Sequence, residues 1–273
     1  MKVFISSDIE GITGVVGGGQ STMAGADYAR VRKLMTQDIN AAVEGAFLGG
    51  ATGVVINDGH GAGTNVLIED LDPRARLISG DQLYLSQMGG IDHTFDVVLF
   101  VGHHAMEGTA DGVLNHTFLG RTINRLTMNG RPVGEMGING AIAGHFGVPV
   151  GLEAGDDRAC AEALSFFPGI ETVITKRAVS RTVADSLTPG ASHRLIREAA
   201  EAAVRKAPLL SPLLVDLPVT FEVEFKSTAE TTFATLFPSV KRTGPKGVSV
   251  TAPDVVSAFK MLWGVFELGM AGA

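Results

Sequence analysis

The sequence predicts an α/β protein in which a mostly parallel sheet lies between two layers of helices, with a smaller α+β lobe at the carboxyl end. Wholly apolar runs, such as Val3 to Ile5, alternate with stretches of helical periodicity through most of the chain. This pattern is typical of parallel strands covered on both faces. The strand-like run VTFEVEFKS, from Val219 to Ser227, instead alternates strictly between apolar and polar residues. Such alternation predicts a strand with one solvated face.

The first hundred residues predict a βαβ unit and a further strand. The apolar run at Val3 to Ile5 predicts a first buried strand, and apolar residues at helical spacing predict a helix from Asp27 to Phe47. A second strand is expected in GVVINDGH, from Gly53 to His60, and a third in DVVLFVGHH, from Asp96 to His104. The crossover between the first two strands should be right-handed.

The middle of the chain predicts a hairpin followed by a helix. Residues alternate around Asn129-Gly130, a dipeptide typical of tight hairpin turns. The next helix should carry Glu135 at its N-terminus, where a carboxylate is electrostatically favoured, so Glu135 is either an ordinary first-turn acid or a functional group. His116 lies in a run from Val113 to Leu119 that the pattern predicts to be extended. A lone histidine in a strand is usually structural, but it is also a candidate general acid or base.

The last third predicts the division of the chain. We expect a strand and a helix on either side of Asp156, and an amphipathic helix from Pro189 to Lys206. A proline-rich segment follows, and it predicts a boundary between an α/β metal-binding core of residues 1–208 and a lobe of residues 209–273, unless the chain is one continuous domain. In that lobe, Val248 to Thr251 should pair with the alternating strand, and a helix should close the chain.

Composition excludes several classes of protein. The chain has 22 basic and 29 acidic residues among its 273, a net charge of -7 and no basic tract, which argues against nucleic acid and anionic membranes as partners. No apolar segment approaches transmembrane length, and Asp8 and Glu10 fall where a signal peptide needs its hydrophobic region. The single cysteine, Cys160, excludes an intrachain disulfide. We therefore expect a cytoplasmic protein.

The ends of the three predicted strands carry the chemistry. Asp8 and Glu10 are two residues apart, so on extended backbone they point to the same side and need a cation or solvent between them. Parallel strands bring their carboxyl ends to one edge of the sheet. That edge should therefore gather Asp8, Glu10, His60 and either His103 or His104. Carboxylates and imidazoles together are ligands for zinc and related divalent metals.

The joint pattern of motifs resembles a known family. SDIEGITG, NDGH, ISGD, VGHHA, NHTF, RPVGEMGING and AGDDRA occur in this order over nearly the whole chain. They closely resemble the bacterial D-aminopeptidase family of dinuclear zinc peptidases. The resemblance implies the following metal ligands, with Asp8 bridging the metals: Asp8, Glu10, His60, His104 and Glu135. It selects His104 over His103, and it implies that His116 is the catalytic histidine.

The resemblance also implies the reaction and the assembly. It implies a cytoplasmic aminopeptidase that removes an N-terminal D-amino acid, such as D-Ala, from short peptides. Two zinc ions per chain would be bound, for which manganese or cobalt could substitute, and the assembly would be a self-compartmentalising homodecamer. The sequence departs from one member of this family at Gly59, His103, Asn115 and Thr117, where that member carries Ser, Tyr, Ser and Ser. These departures bear on substrate preference more than on the metal ligands.

The chemistry itself leaves alternatives open. Two divalent ions about 3.5–4 Å apart activate a water and polarise a carbonyl, so His116 is better suited to protonate the leaving amine than to act as a nucleophile. Glu10, Asp58 and Asp81 are candidate anchors for the substrate amino group. A metal-dependent amidase that acts on L-peptides or non-peptide amides is the alternative within hydrolases. A non-catalytic α/β protein that binds a small ligand is the alternative outside them.

Overall fold

The computed structural model describes residues 1–81 and 84–273. The strands in this part of the chain are β1 (Lys2–Ser7), β2 (Gly53–Asp58), β3 (Ala75–Ile78), β4 (Val97–Val101), β5 (Ile123–Met128), β6 (Arg131–Pro132), β7 (Val150–Asp156), β8 (Glu171–Ser180), β9 (Val183–Ser186), β10 (Val219–Phe225), β11 (Lys241–Arg242) and β12 (Gly247–Ala252). The helices are α1 (Gly18–Ser21), α2 (Tyr28–Leu48), α3 (Glu135–His145), α4 (Asp157–Phe166), α5 (Pro189–Lys206), α6 (Thr228–Ala234) and α7 (Val255–Met270). None of these helices is long and apolar enough to cross a membrane.

Seven strands form the main sheet, in the order β3-β2-β1-β4-β7-β8-β9. The neighbours from β3 to β8 are parallel, and β9 joins the edge antiparallel to β8. This arrangement confirms the predicted mostly parallel sheet. The two edge strands, β3 and β9, are additions that the sequence did not predict, because both are short and partly exposed and lack a continuous apolar run.

Helices cover both faces of this sheet. In β1, Val3 and Ile5 pack with residues of α2 and α5 on one face, whereas Phe4 packs with residues of α3 and α4 on the other. Consecutive side chains of a strand point to opposite faces, so an uninterrupted apolar run is required when both faces are buried. The three-layer α/β prediction is confirmed.

The second sheet is antiparallel, in the order β11-β12-β10-β5-β6. The predicted pairing of β10 with β12 is confirmed, and so is the hairpin of β5 and β6, whose turn residues Asn129 and Gly130 have φ values of 50° and 80°. Strand β5 pairs with β10, so this sheet draws two strands from residues before 208. The division of the chain at residue 208 stays a prediction.

The segment around His116 differs from the prediction. Residues 113–119 form no strand, and Leu114 and Phe118 adopt positive φ angles of 49° and 52°. The backbone N–H of His116 donates to the Ala105 carbonyl at 3.3 Å, and that of Leu114 donates to the Arg181 carbonyl at 2.9 Å. The predicted extended run is therefore wrong, because these residues bond to two other loops instead of a neighbouring strand.

Two glycines bring the loops after β1 and β4 into direct contact. The Gly11 N–H donates to the Gly102 carbonyl at 2.7 Å. A Cβ on Gly11 would lie 1.9 Å from the His103 carbonyl oxygen, and a Cβ on Gly102 would lie 2.2 Å from the Asp8 carbonyl oxygen. Only residues without a side chain permit this approach, so the glycines fix the separation of the two loops.

We expect Gly11→Ala to lower the free energy of unfolding by about 1–3 kcal/mol, the usual cost of forcing extra atoms into a packed site. Urea unfolding followed by circular dichroism measures the change. Gly190→Ala is the control, because nothing lies within 4 Å of a Cβ at that helical position; its midpoint should be unchanged or higher. A Gly11→Ala protein as stable as the wild type would contradict the close contact.

Candidate metal centre

The adjacent strands β2, β1 and β4 deliver most of the predicted site residues to one edge of the sheet. His60 follows β2, Asp8 and Glu10 follow β1, and His104 follows β4. Glu135 arrives separately, as the first residue of α3. The exposed fractions of Asp8, Glu10, His104 and Glu135 lie between 2% and 5%. The structure thus brings together all five residues that the resemblance implies as metal ligands.

Asp8 lies at the middle of the cluster and faces both ends of it. One carboxylate oxygen, Oδ1, lies 3.0 Å from Nδ1 of His60, and the other, Oδ2, lies 3.4 Å from Nε2 of His104. Glu10 Oε2 lies 3.1 Å from the same His60 nitrogen, and Glu135 Oε1 lies 3.4 Å from the same His104 nitrogen. Each end therefore combines one imidazole, one carboxylate of its own and one oxygen of the shared Asp8.

Backbone carbonyls orient the histidine rings. Nε2 of His60 lies 2.7 Å from the Ser21 carbonyl, and Nδ1 of His104 lies 3.0 Å from the Ala105 carbonyl. If these nitrogens carry the ring protons, the other nitrogen of each ring, Nδ1 of His60 and Nε2 of His104, has a lone pair that points towards the carboxylates. A histidine that binds a metal ion commonly donates its other ring N–H to a carbonyl in this way.

His116 lies at the margin of the cluster. Its ring stacks on that of His104, with centroids 4.1 Å apart and planes inclined by 12°. Its Nδ1 lies 2.9 Å from the Leu114 carbonyl, and its Nε2 lies 3.8 Å from Glu135 Oε1. The side chain is 19% exposed, more than those of His104 or Glu135. His116 is thus oriented towards the centre and open to solvent.

The cluster requires positive charge. Burial alone would raise the pKa of Asp8, but the adjacent rings of His104 and His60 hold that pKa well below its ordinary value. Burial also opposes ionisation of Glu135, yet the nearby His104 lowers the pKa of Glu135 to about 2. Burial by itself lowers the pKa of both histidines. The Glu10 carboxylate outweighs burial at His60, and the Glu135 carboxylate outweighs it at His104, so the pKa of each histidine is well above normal. Protonated imidazoles or bound cations can both provide the charge.

The donor atoms fit a metal ion better than they fit one another. Glu10 Oε2 and His104 Nε2 are buried and make no hydrogen bond, although an imidazole nitrogen lies 3.1 Å from the first and carboxylate oxygens lie 3.4 Å from the second. The distances are short, but the directions are poor for hydrogen bonding. Within the described residues, three groups have ligand atoms within 4.8 Å of one another: Asp8/Glu10/His104, His104/His116/Glu135 and Asp8/His103/Glu135. Carboxylate and imidazole donors in this arrangement suit zinc.

His103 lies beside the same carboxylates but has a different environment. It is fully buried, and its Nε2 lies 3.1 Å from the hydroxyl of Ser6. Its ring packs against Phe100, with centroids 4.8 Å apart. Burial lowers the pKa of His103. The geometry favours His104 as the ligand, because its Nε2 lies between Asp8 and Glu135 and carries no other bond.

Sequence reasoning missed Gln87. Its amide nitrogen donates to Asp8 Oδ2 at 3.3 Å and to Glu135 Oε2, and its amide oxygen accepts from Asn139 at 2.5 Å. Gln87 lies in a short 3-10 turn, Ser86–Met88, far along the chain from both carboxylates. No local pattern marks such a residue. It links the shared carboxylate to the one on α3.

The structure separates the candidate anchors for a substrate amino group. The Asp58 carboxylate accepts from the Asn65 backbone N–H at 2.5 Å, the Asn65 side-chain amide at 2.7 Å and the Val66 N–H at 2.7 Å. It is 1% exposed, so its role is to fix the loop after β2. Asp81 is exposed, and Glu10 lies in the cluster.

Comparisons with known proteins identify the family. The family model described as D-aminopeptidase, peptidase family M55, matches residues 1–264. A D-aminopeptidase of Bacillus subtilis (strain 168) is 36% identical over 271 residues, which are 99% of this chain and 98% of that protein. The solved structure of the Zn-dependent D-aminopeptidase DppA from Bacillus subtilis, described as a self-compartmentalizing protease, matches with a TM-score of 0.96 and 35% identity, over 99% of this chain and 98% of its own. The resemblance noted in the motifs is confirmed: the chain belongs to the D-aminopeptidase family.

Proposed function

We propose that this protein is a zinc-dependent aminopeptidase that removes the N-terminal residue of short peptides, preferring a D-amino acid such as D-Ala at that position. The observation that carries the proposal is the buried cluster in which Asp8 lies between two carboxylate–imidazole ends. The membership of this chain in the D-aminopeptidase family supports hydrolysis of the N-terminal peptide bond as the reaction. The zinc dependence stated for DppA supports the metal.

In this proposal the five residues of the cluster divide between two zinc ions. Glu10 and His60 would hold one ion and His104 and Glu135 the other, while one carboxylate oxygen of Asp8 faces each pair. The ions, when bound, lower the pKa of a water molecule and polarise the peptide carbonyl. Manganese and cobalt accept the same ligands and could replace zinc. The Gln87 amide nitrogen donates to both Asp8 and Glu135 and so fixes the position of one carboxylate relative to the other.

His116 acts as the proton donor to the leaving amine. The Leu114 carbonyl lies 2.9 Å from Nδ1, which directs Nε2 towards the cluster. The Phe118 N–H donates to Glu135 Oε1 at 2.6 Å and so ties the His116 loop to the centre. A neutral imidazole at Nε2 can take a proton from the attacking water, and the resulting imidazolium can give it to the amine.

We further infer that the working form is a homo-oligomer, with the decamer as the expected form. DppA is described as a self-compartmentalizing protease, which requires several copies to enclose a space. The chain exposes several large apolar side chains around the segment before β10, including Leu209, Leu214 and Leu217 at 83%, 78% and 66%. Contacts between subunits would cover such residues.

We expect the purified protein to hydrolyse D-Ala-D-Ala faster than L-Ala-L-Ala, with activity that disappears after chelation and returns with zinc. Release of free alanine, resolved by chiral chromatography, measures both rates. Preference for the L-peptide would keep the metal chemistry and contradict the proposed stereochemistry. If neither peptide is cut while zinc is bound, the amidase alternative is favoured; a protein that binds no zinc would contradict the proposed centre.

We expect His116→Ala to lower kcat by about 10²–10⁴-fold, the usual contribution of a general acid or base, and to leave the zinc content unchanged. Metal analysis and peptide hydrolysis on the same sample make the measurement. His93→Ala, which removes an exposed histidine far from the cluster, is the control and should keep full activity. Loss of zinc together with activity would make His116 a ligand, as its place in the His104/His116/Glu135 group permits.

A further inference from the structure

We infer that Lys176 and Thr175, two consecutive residues of β8, position Glu10 and thereby set the affinity of one end of the metal centre. Neither side chain touches the centre itself; both act through the backbone of the loop after β1. This inference rests on the proposed zinc centre. It assigns the support of Glu10 to β8, a strand that β4 and β7 separate from β1 in the main sheet.

Lys176 is a buried ammonium with an unusual set of partners. It is 1% exposed, and its Nζ donates to the backbone carbonyl oxygens of Glu10 at 2.6 Å and Ile12 at 2.8 Å. Burial lowers the pKa of Lys176 to about 8, while Asp156 and Asp38 act in the opposite direction. The two carbonyls satisfy donors of a buried amino group that would otherwise be costly to remove from water.

Thr175 binds the carbonyl between those two. Its hydroxyl lies 3.0 Å from the Gly11 carbonyl oxygen and 3.0 Å from that of Gly155, and it shares one proton between them. Residues 10–12 lie in the turn that follows β1. The ammonium binds the carbonyls of Glu10 and Ile12, and the hydroxyl binds the Gly11 carbonyl between them. Two side chains of β8 thus fix three consecutive peptide groups.

The carboxylate of Glu10 depends on this backbone support. Its Oε2 is buried without a hydrogen bond, so no protein donor orients that oxygen. Glu135 differs, because the Phe118 N–H and the Gln87 amide both donate to its oxygens. Loosening the loop after β1 should therefore disturb Glu10 while the His104–Glu135 end keeps its own support. The effect on the two metal ions should be unequal.

The test compares zinc binding by the wild type, Lys176→Met and Thr175→Val. Methionine keeps the length and apolar stem of lysine and removes its donors and charge, and valine keeps the shape of threonine without the hydroxyl. We expect Lys176→Met to weaken one of the two zinc ions by about 10- to 100-fold, as is typical for residues that support metal ligands. Thr175→Val should act in the same direction with a smaller change. Competition with a chromophoric chelator gives both affinities, and the absorption spectrum of the cobalt-substituted protein reports ligand geometry.

Thr231→Val is the matched control, because Thr231 is fully buried in α6 and its hydroxyl has no hydrogen-bond partner. It should retain both zinc ions with wild-type affinity. The inference is overturned if folded Lys176→Met also retains both, or if the two ions weaken equally. If Lys176→Met does not fold, the test falls to Thr175→Val. The inference is overturned if Thr175→Val binds both zinc ions with wild-type affinity. A wild type that binds two zinc ions but cleaves no peptide would defeat the proposed function alone, and one that binds none would defeat both.

Discussion

Three carboxylates buried together impose the constraint on which the rest of this structure depends. Removing a charged group from water costs several kcal/mol in a protein interior unless opposite charge and hydrogen bonds compensate. Asp8 meets this requirement by facing His60 with one oxygen and His104 with the other. That position is available only where β1 lies between β2 and β4, since each neighbour supplies one of the histidines. The order of the strands is therefore what provides the histidines that balance the charge of Asp8.

Precision at the centre comes from backbone contacts more than from the ligand side chains. The loops after β1 and β4 touch through Gly11 and Gly102, and Lys176 fixes the first of these loops from behind. Each loop begins at the end of a buried strand, so its starting point is already rigid. A ligand set assembled from three strands and a helix can hold its geometry only if such connections prevent the loops from moving independently.

The sequence predicted the parts of this arrangement that leave a local pattern. Apolar runs located the central strands, and the carboxyl-end rule brought Asp8, Glu10 and His60 together without any comparison. The choice between His103 and His104 required the family resemblance, since both follow the same strand. Gln87 and Lys176 escaped notice because their partners lie 79 and 166 residues away along the chain, and no periodicity encodes such contacts. The His116 segment was assigned as extended because its apolar content conceals two residues with positive φ.

Gly59 and His103, two of the positions at which the resemblance led us to expect other residues, lie behind the centre. A Cβ on Gly59 would lie 2.7 Å from Cγ of Gln87 and 2.9 Å from the Ser7 carbonyl, so a serine at position 59 excludes Gln87 from its present place. His103 is fully buried, and its partner Ser6 also donates to the Gln87 carbonyl at 2.9 Å. Both positions therefore adjoin the residue that links Asp8 to Glu135. Gly59 and His103 therefore bear on the support of the carboxylates, whereas Asn115 and Thr117, the other two departures, flank His116 in the chain.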